Sequence, residues 1–271
     1  MDLGKVQPLL LQDMRSSMAS LLARAPIAEK AESLRDISRL MQAIAICKLI
    51  HEADVVAYRQ YLIRGGQARR YYLRKSREEN NVDDRFLGLS RVESIFDTLA
   101  AGDVQLFRDI AALSIDRWHR GWEYEDDFCY YLFVQRVVAT PGFLQSPEAG
   151  ALLAQFRKAI EDQPSPRLAL CQALHDRSLD DFRAALEKLL QLHADYYEAK
   201  RPTITEYSAQ AIFWPRSFVC IEALAWLFVG NRLGLPLADQ FQFCPELARP
   251  DFAPIVVEDL FESLDQVLKN P

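Results

Sequence analysis

Threonine occurs only four times in 271 residues, and no segment alternates apolar and polar side chains as a half-buried strand does, so no strand is predicted. Cysteine is also sparse. Cys47, Cys129, Cys171, Cys220 and Cys244 are odd in number and lack any CxxC spacing, which excludes a disulfide framework and a zinc knuckle and points to a reducing cytoplasm. Their apolar settings raise thiol pKa and argue against a cysteine nucleophile. The apolar patch Pro8 to Leu11 lies between Asp2 and Asp13 and is too short for a signal peptide. Phe218 to Gly230 is interrupted by Glu222 and falls short of a membrane span. The expectation is a cytoplasmic protein with no membrane partner.

What is abundant is leucine, alanine and helical periodicity. Half the residues are apolar, enough to bury a sizeable core, and apolar positions such as Ile37, Leu40, Met41 and Ile44 fall on one helix face. The spacing predicts an all-α fold, a single multi-helix bundle or an irregular array of helical hairpins spanning 1–271, with a possible seam near 142 at Pro141-Gly142. Helices are predicted at about 6–24, 28–51, 54–76, 90–101, 104–118, 125–139, 148–161, 166–175, 179–199, 217–233 and 257–269. Three helix starts look alike: Asp54, Asp103 and Ser178 each stand as an N-cap with an aromatic residue four positions on, Tyr58, Phe107 or Phe182. Their spacing is irregular, so a strict solenoid is not supported.

The balance of 38 acidic against 32 basic residues, net −6, argues against a general nucleic-acid binder and admits a basic protein partner. The negative charge is most concentrated in 118–131, Trp118-His119-Arg120-Gly121-Trp122-Glu123-Tyr124-Glu125-Asp126-Asp127-Phe128-Cys129-Tyr130-Tyr131, where four carboxylates are threaded through six aromatics. Clustered carboxylates suit a hard cation, and a metal-dependent all-α hydrolase or cyclase is one alternative; Phe128-Cys129-Tyr130 follows where a further acid would complete the usual aspartate-rich motif. Glu125, Asp126 and Asp127 also sit at a predicted helix start, where the macrodipole favours negative charge. Capping leaves Glu123 unexplained. Aromatics beside carboxylates are typical of interfaces that steer a basic partner, so Trp122, Glu123, Tyr124, Glu125, Asp126 and Asp127 are the predicted partner-binding residues, with Glu206 heading a further aromatic segment.

Arg64 to Arg77 carries six positive charges and no acid around Tyr71 and Tyr72, which resembles a stripe that neutralises phosphates and stacks on bases. A helical RNA-binding protein is the second alternative. His175-Asp176 lacks the partner spacing of a phosphohydrolase metal site, and no Ser-His-Asp or Cys-His arrangement can be assembled, so no catalytic residue, metal or cofactor is expected. Glu222 lies inside the most apolar helix and must be paired or solvent-facing, and Arg216 is a poor helical partner for it.

Trp118, the run Glu123 to Phe128, the late helix Ala223 to Gly234 and the closing Phe243-Cys244-Pro245-Glu246-Leu247 together resemble the bacterial immunity protein 49 family of polymorphic toxin systems, over roughly 40–250. The segment Trp214 to Leu247 is also similar to the all-α PoNi proteins that neutralise DNases. Either resemblance implies an all-α cytoplasmic protein, not an enzyme, that binds and blocks a cognate antibacterial toxin, often a nuclease delivered by a secretion system such as type VI.

Overall fold

The computed structural model describes residues 2–23, 25–91, 94–249 and 255–269, apart from the side chains of 207 and 265–269. Its elements are α1 (Leu3–Ser20), α2 (Ile27–Glu52), α3 (Val55–Glu78), α4 (Ser94–Ala100), α5 (Val104–Leu113), α6 (Glu125–Ala139), α7 (Pro147–Ala159), α8 (Pro166–Asp176), α9 (Leu179–Lys200), α10 (Tyr207–Phe218), α11 (Ile221–Arg232) and α12 (Leu260–Lys269), with short 3₁₀ turns between some of them. Among the described residues there is no strand, only an isolated bridge between Phe241 and Cys244. The all-α expectation holds.

The long hairpin of α2 and α3 forms the centre. Its inward face supplies Ile37, Met41, Ala45, Tyr58, Leu62 and Leu73 to one continuous apolar cluster, which reaches Phe133, Leu153, Phe182, Trp226 and Phe261 and so includes residues on both sides of Gly142. A smaller cluster of Val6, Leu10, Leu40, Ile44 and Ala211 seats α1 and α10 on the other face of α2. Tyr71 and Phe261, with ring centroids 5.5 Å apart, hold α12 against α3.

The three similar helix starts share one device. Asp54, Asp103 and Ser178 accept hydrogen bonds from the amides of Ala57, Leu106 and Asp181, as N-caps do. Each follows a left-handed residue, Ala53 (φ 54°), Gly102 (φ 77°) or Arg177 (φ 55°), that ends the preceding helix. The cap's own amide then donates back to that helix, Asp54 to the Lys48 carbonyl (3.0 Å), Asp103 to Thr98 (2.8 Å) and Ser178 to Ala173 (3.0 Å). Tyr58, Phe107 and Phe182, one turn on, are fully buried. The hairpins α2/α3, α4/α5 and α8/α9 therefore turn by the same chemistry at irregular intervals.

Two boundaries differ from the sequence reading. The predicted helix 104–118 ends at Leu113, because Ser114 is extended and its hydroxyl donates to the Ile110 carbonyl at 2.8 Å; residues 114–124 are a connection. The predicted helix 217–233 is two helices. Val219 and Cys220 are extended, and the Cys220 amide donates to the Phe243 carbonyl at 2.9 Å, separating α11 from α10. No helix was predicted over 207–216; α10 runs there and contains Pro215, a residue that removes an amide donor and ordinarily breaks a helix. Residues 92 and 93 of the predicted helix 90–101 lie outside the described residues.

The stretch Ser208–Arg232 is long and apolar enough to cross a membrane by composition. It is interrupted at Val219-Cys220 and contributes Val219, Ala223, Leu224 and Trp226 to the central cluster, as a core helix does.

Candidate functional site: an acidic helix start beside a polar cleft

Helix α6 starts at Glu125 with Tyr124 as an extended N-cap whose side chain makes no capping bond. Glu125, Asp126 and Asp127 fill the first turn, where the helix dipole stabilises each by roughly 0.3–1 kcal/mol. They do not converge. Glu125 accepts from the Gln155 side chain at 2.9 Å, and Asp127 pairs with Arg167 at 3.2 Å. Asp126 makes no side-chain hydrogen bond or ion pair among the described residues and lines a cleft of ≈ 580 Å³.

Trp122 and Glu123, which precede the N-cap, face inward, although both were predicted to bind a partner. Trp122 is buried and stacks on His119 with ring centroids 4.1 Å apart. Glu123 is 6% exposed. Its two oxygens accept from the backbone amides of Leu89 (3.0 Å) and Ser90 (2.7 Å), at the start of the 3₁₀ turn Leu89–Arg91. The Trp118 indole donates to the Glu123 carbonyl at 3.1 Å. Tyr124, at 79% exposure, is the most displayed member of the block. Glu206 is exposed at the head of α10, makes no capping bond, and is not part of the cleft lining.

The cleft opens between the start of α6, the α7–α8 connection at 163–166, α9 and the α10–α11 junction. Its floor answers the question raised by Glu222. That carboxylate accepts from Arg167 at 2.9 and 3.1 Å and from the Tyr130 hydroxyl at 2.6 Å, while Trp226 donates to the same hydroxyl at 2.6 Å. The Arg167 guanidinium also lies 4.8 Å from the Tyr130 ring centroid. Burial disfavours its charge, but Glu222 more than offsets this, so its pKa stands above the ordinary arginine value. Burial also raises the Asp127 carboxyl above its usual range, despite Arg167. Arg216 donates to Gln42 at 2.5 Å on the opposite wall. The rim is apolar: Leu192 and Tyr196 on α9 are 51% and 55% exposed.

Four of the six cations of the basic stripe make bonds within the fold. Arg69 is buried and donates to the carbonyls of Phe86, Leu87 and Gly88. Arg70 pairs with Asp109 and Asp259, Lys75 with Glu78, and Arg77 donates to the Ala112 carbonyl. His175 bonds only to Asp176 at the exposed end of α8, and among the described residues no three His, Cys, Asp or Glu side chains group as metal ligands. All five cysteines are buried and unpaired, and burial pushes the thiols of Cys47, Cys129 and Cys244 up to about 12.

A family model described as immunity protein 49 matches residues 66–247. The chain belongs to the immunity protein 49 family. No curated protein and no solved structure matches it. The match begins inside α3 and ends past α11, so the family region contains the acidic helix start, the internal bonds of Glu123 and Arg69, and the Arg167–Glu222 floor of the cleft. As an immunity protein it belongs to a polymorphic toxin system, and its partner is a cognate toxin. Sequence reasoning missed Arg167, Tyr130, Leu192 and Tyr196. Arg167 stands 55 residues from Glu222 with no local cue, and the two α9 side chains were read only as part of a helix.

Proposed function

We propose that this immunity protein neutralises a nuclease toxin, a DNase delivered by type VI secretion, by binding it in the cytoplasm without a catalytic step. The observation that carries the reading is the start of α6: Tyr124 is 79% exposed, and Asp126, two residues on, makes no hydrogen bond or ion pair among the described residues. A nuclease must present cations to hold phosphates, and an acidic surface with an aromatic anchor competes for them. The net charge of −6 supports the same polarity. The contact surface is Tyr124, Glu125 and Asp126, with Glu206 as an outlying acid; Glu123 and Trp122 support it from inside.

The test is the association rate with the purified, catalytically inactivated cognate toxin domain, measured over a range of salt concentrations. The rate should fall steeply as salt rises, because steering is screened over about 10 Å at 0.1 M. Glu125→Gln with Asp126→Asn should slow association and flatten that dependence. A rate indifferent to salt and to both substitutions removes the acidic start of α6 from the interface.

A further inference from the structure

We propose that the cleft beside α6 is the seat of a toxin loop led by an arginine or lysine, whose charge meets Asp126 and whose apolar flank packs on Leu192 and Tyr196. This deepens the proposed function and rests on it, since it supplies the toxin's point of insertion.

The charges in the cleft decide the class of occupant. Of the two lining guanidiniums, Arg167 is neutralised by Glu222 and Asp127, and Arg216 donates to the Gln42 side chain within the cleft. His193 on the same wall packs between Tyr197 and Phe243, with ring centroids 4.7 and 4.9 Å away. Burial lowers its pKa, which keeps it neutral at pH 7. The Asp126 carboxylate, which also lines the cleft, makes no hydrogen bond or ion pair among the described residues. Tyr131, Tyr196 and Tyr197 line the same cleft, and aromatic rings attract a guanidinium or ammonium through the ring quadrupole as a carboxylate does through charge.

Size and exposure fit a side chain with its neighbours. A volume of ≈ 580 Å³ lies within the range of sites that enclose a compact ligand, roughly 300–1,000 Å³. Leu192 and Tyr196 are four residues apart on α9 and so share one helix face. Both are about half exposed at the cleft mouth. Together with Tyr124 on the outer side of the α6 start they give the acidic face an apolar rim, the arrangement in which hot spots are found.

The experiment compares two sets of variants against the same inactivated toxin domain by calorimetry, with a thermal melt of each variant to establish folding. The cleft set is Asp126→Asn, Leu192→Ala and Tyr196→Ala; the outer set is Tyr124→Ala and Glu125→Gln. A loss of affinity of about tenfold or more for each member of the cleft set, the loss expected of a central anchor, supports the proposal. If Leu192→Ala and Tyr196→Ala bind as the wild type while Asp126→Asn and the outer set are weakened, the cleft is not the seat and the proposed function stands. If neither set changes affinity, both readings fall. A photo-crosslinking residue at position 192 supplies the second readout: the trapped toxin peptide must contain a lysine or arginine, and a trapped peptide with neither overturns the assignment of the occupant.

Discussion

Glu123→Ala should unfold the protein more readily, whereas Tyr124→Ala, one residue on, should not. The Glu123 carboxylate holds two backbone amides, those of Leu89 and Ser90, and a hydrogen bond to a charged group contributes about 1.5–3 kcal/mol. Part of this is offset by the cost of burying the charge. Removing the side chain also strands the amides it satisfied, so we expect a net loss of about 3 kcal/mol. Glu123→Gln keeps one acceptor but turns an amide donor toward a backbone donor, for a loss of about 1–2 kcal/mol. Arg69 holds the same connection from its other side, through the carbonyls of Phe86, Leu87 and Gly88. The two side chains are thus a clamp of opposite charges on residues 86–90, and a double-mutant cycle with Arg69→Met should show coupling of about 0.5–3 kcal/mol. Urea denaturation provides the stabilities. The exposed Tyr124 should change stability by less than about 0.5 kcal/mol when truncated. A Glu123→Ala protein as stable as the wild type but unable to bind the toxin would refute the clamp and return Glu123 to the interface.

Other outcomes follow from the same structure. Arg167→Met should destabilise by about 2–3 kcal/mol, below the 3–5 kcal/mol of a fully buried pair, because the Arg167 side chain is about a third exposed; adding Glu222→Leu should recover part of the loss in urea denaturation. His193 has its pKa lowered by burial, so the unfolded chain takes up a proton near pH 6.5 before the folded one does, and stability falls as pH drops below that value. The fall in Tm between pH 6.5 and 5 should therefore be shallower in His193→Gln than in the wild type, and identical slopes would show that His193 is not held neutral. Gly230→Ala would place a methyl 2.7 Å from the Phe182 ring, overpacking that costs about 1–3 kcal/mol, whereas Gly150→Ala, with open space around it, should be neutral or slightly stabilising in the same denaturation assay.

The parts of the fold that were legible in the sequence are those written locally. Asp54, Asp103 and Ser178 could be read as caps because the cap, the left-handed residue before it and the buried aromatic after it lie within a few positions of one another. The first turn of α6 was legible for the same reason. Long-range pairing was not. Glu222 visibly needed a partner, but Arg167 lies at the start of a different helix, after Pro166, where nothing marks it as the one. The two conspicuous charge clusters were read as outward-facing because clustered charge is ordinarily solvated. Glu123 and Arg69 instead sit on either side of the 86–90 connection, whose backbone groups would otherwise be buried without partners, and this need cannot be seen before the helices are packed. Pro215 misled in the opposite direction: α10 continues through it, and the break falls four residues later at Val219.

The central claim, inhibition by occupying a basic nuclease surface with an acidic aromatic one, is tested most directly by titrating the active toxin domain with the purified chain while following cleavage of a nucleic-acid substrate. Activity should fall to zero at one equivalent, and the Tyr124→Ala, Glu125→Gln, Asp126→Asn triple variant should require a large excess while melting as the wild type does. A triple variant that inhibits at one equivalent, or a tight complex in which the toxin still cleaves its substrate, would contradict it.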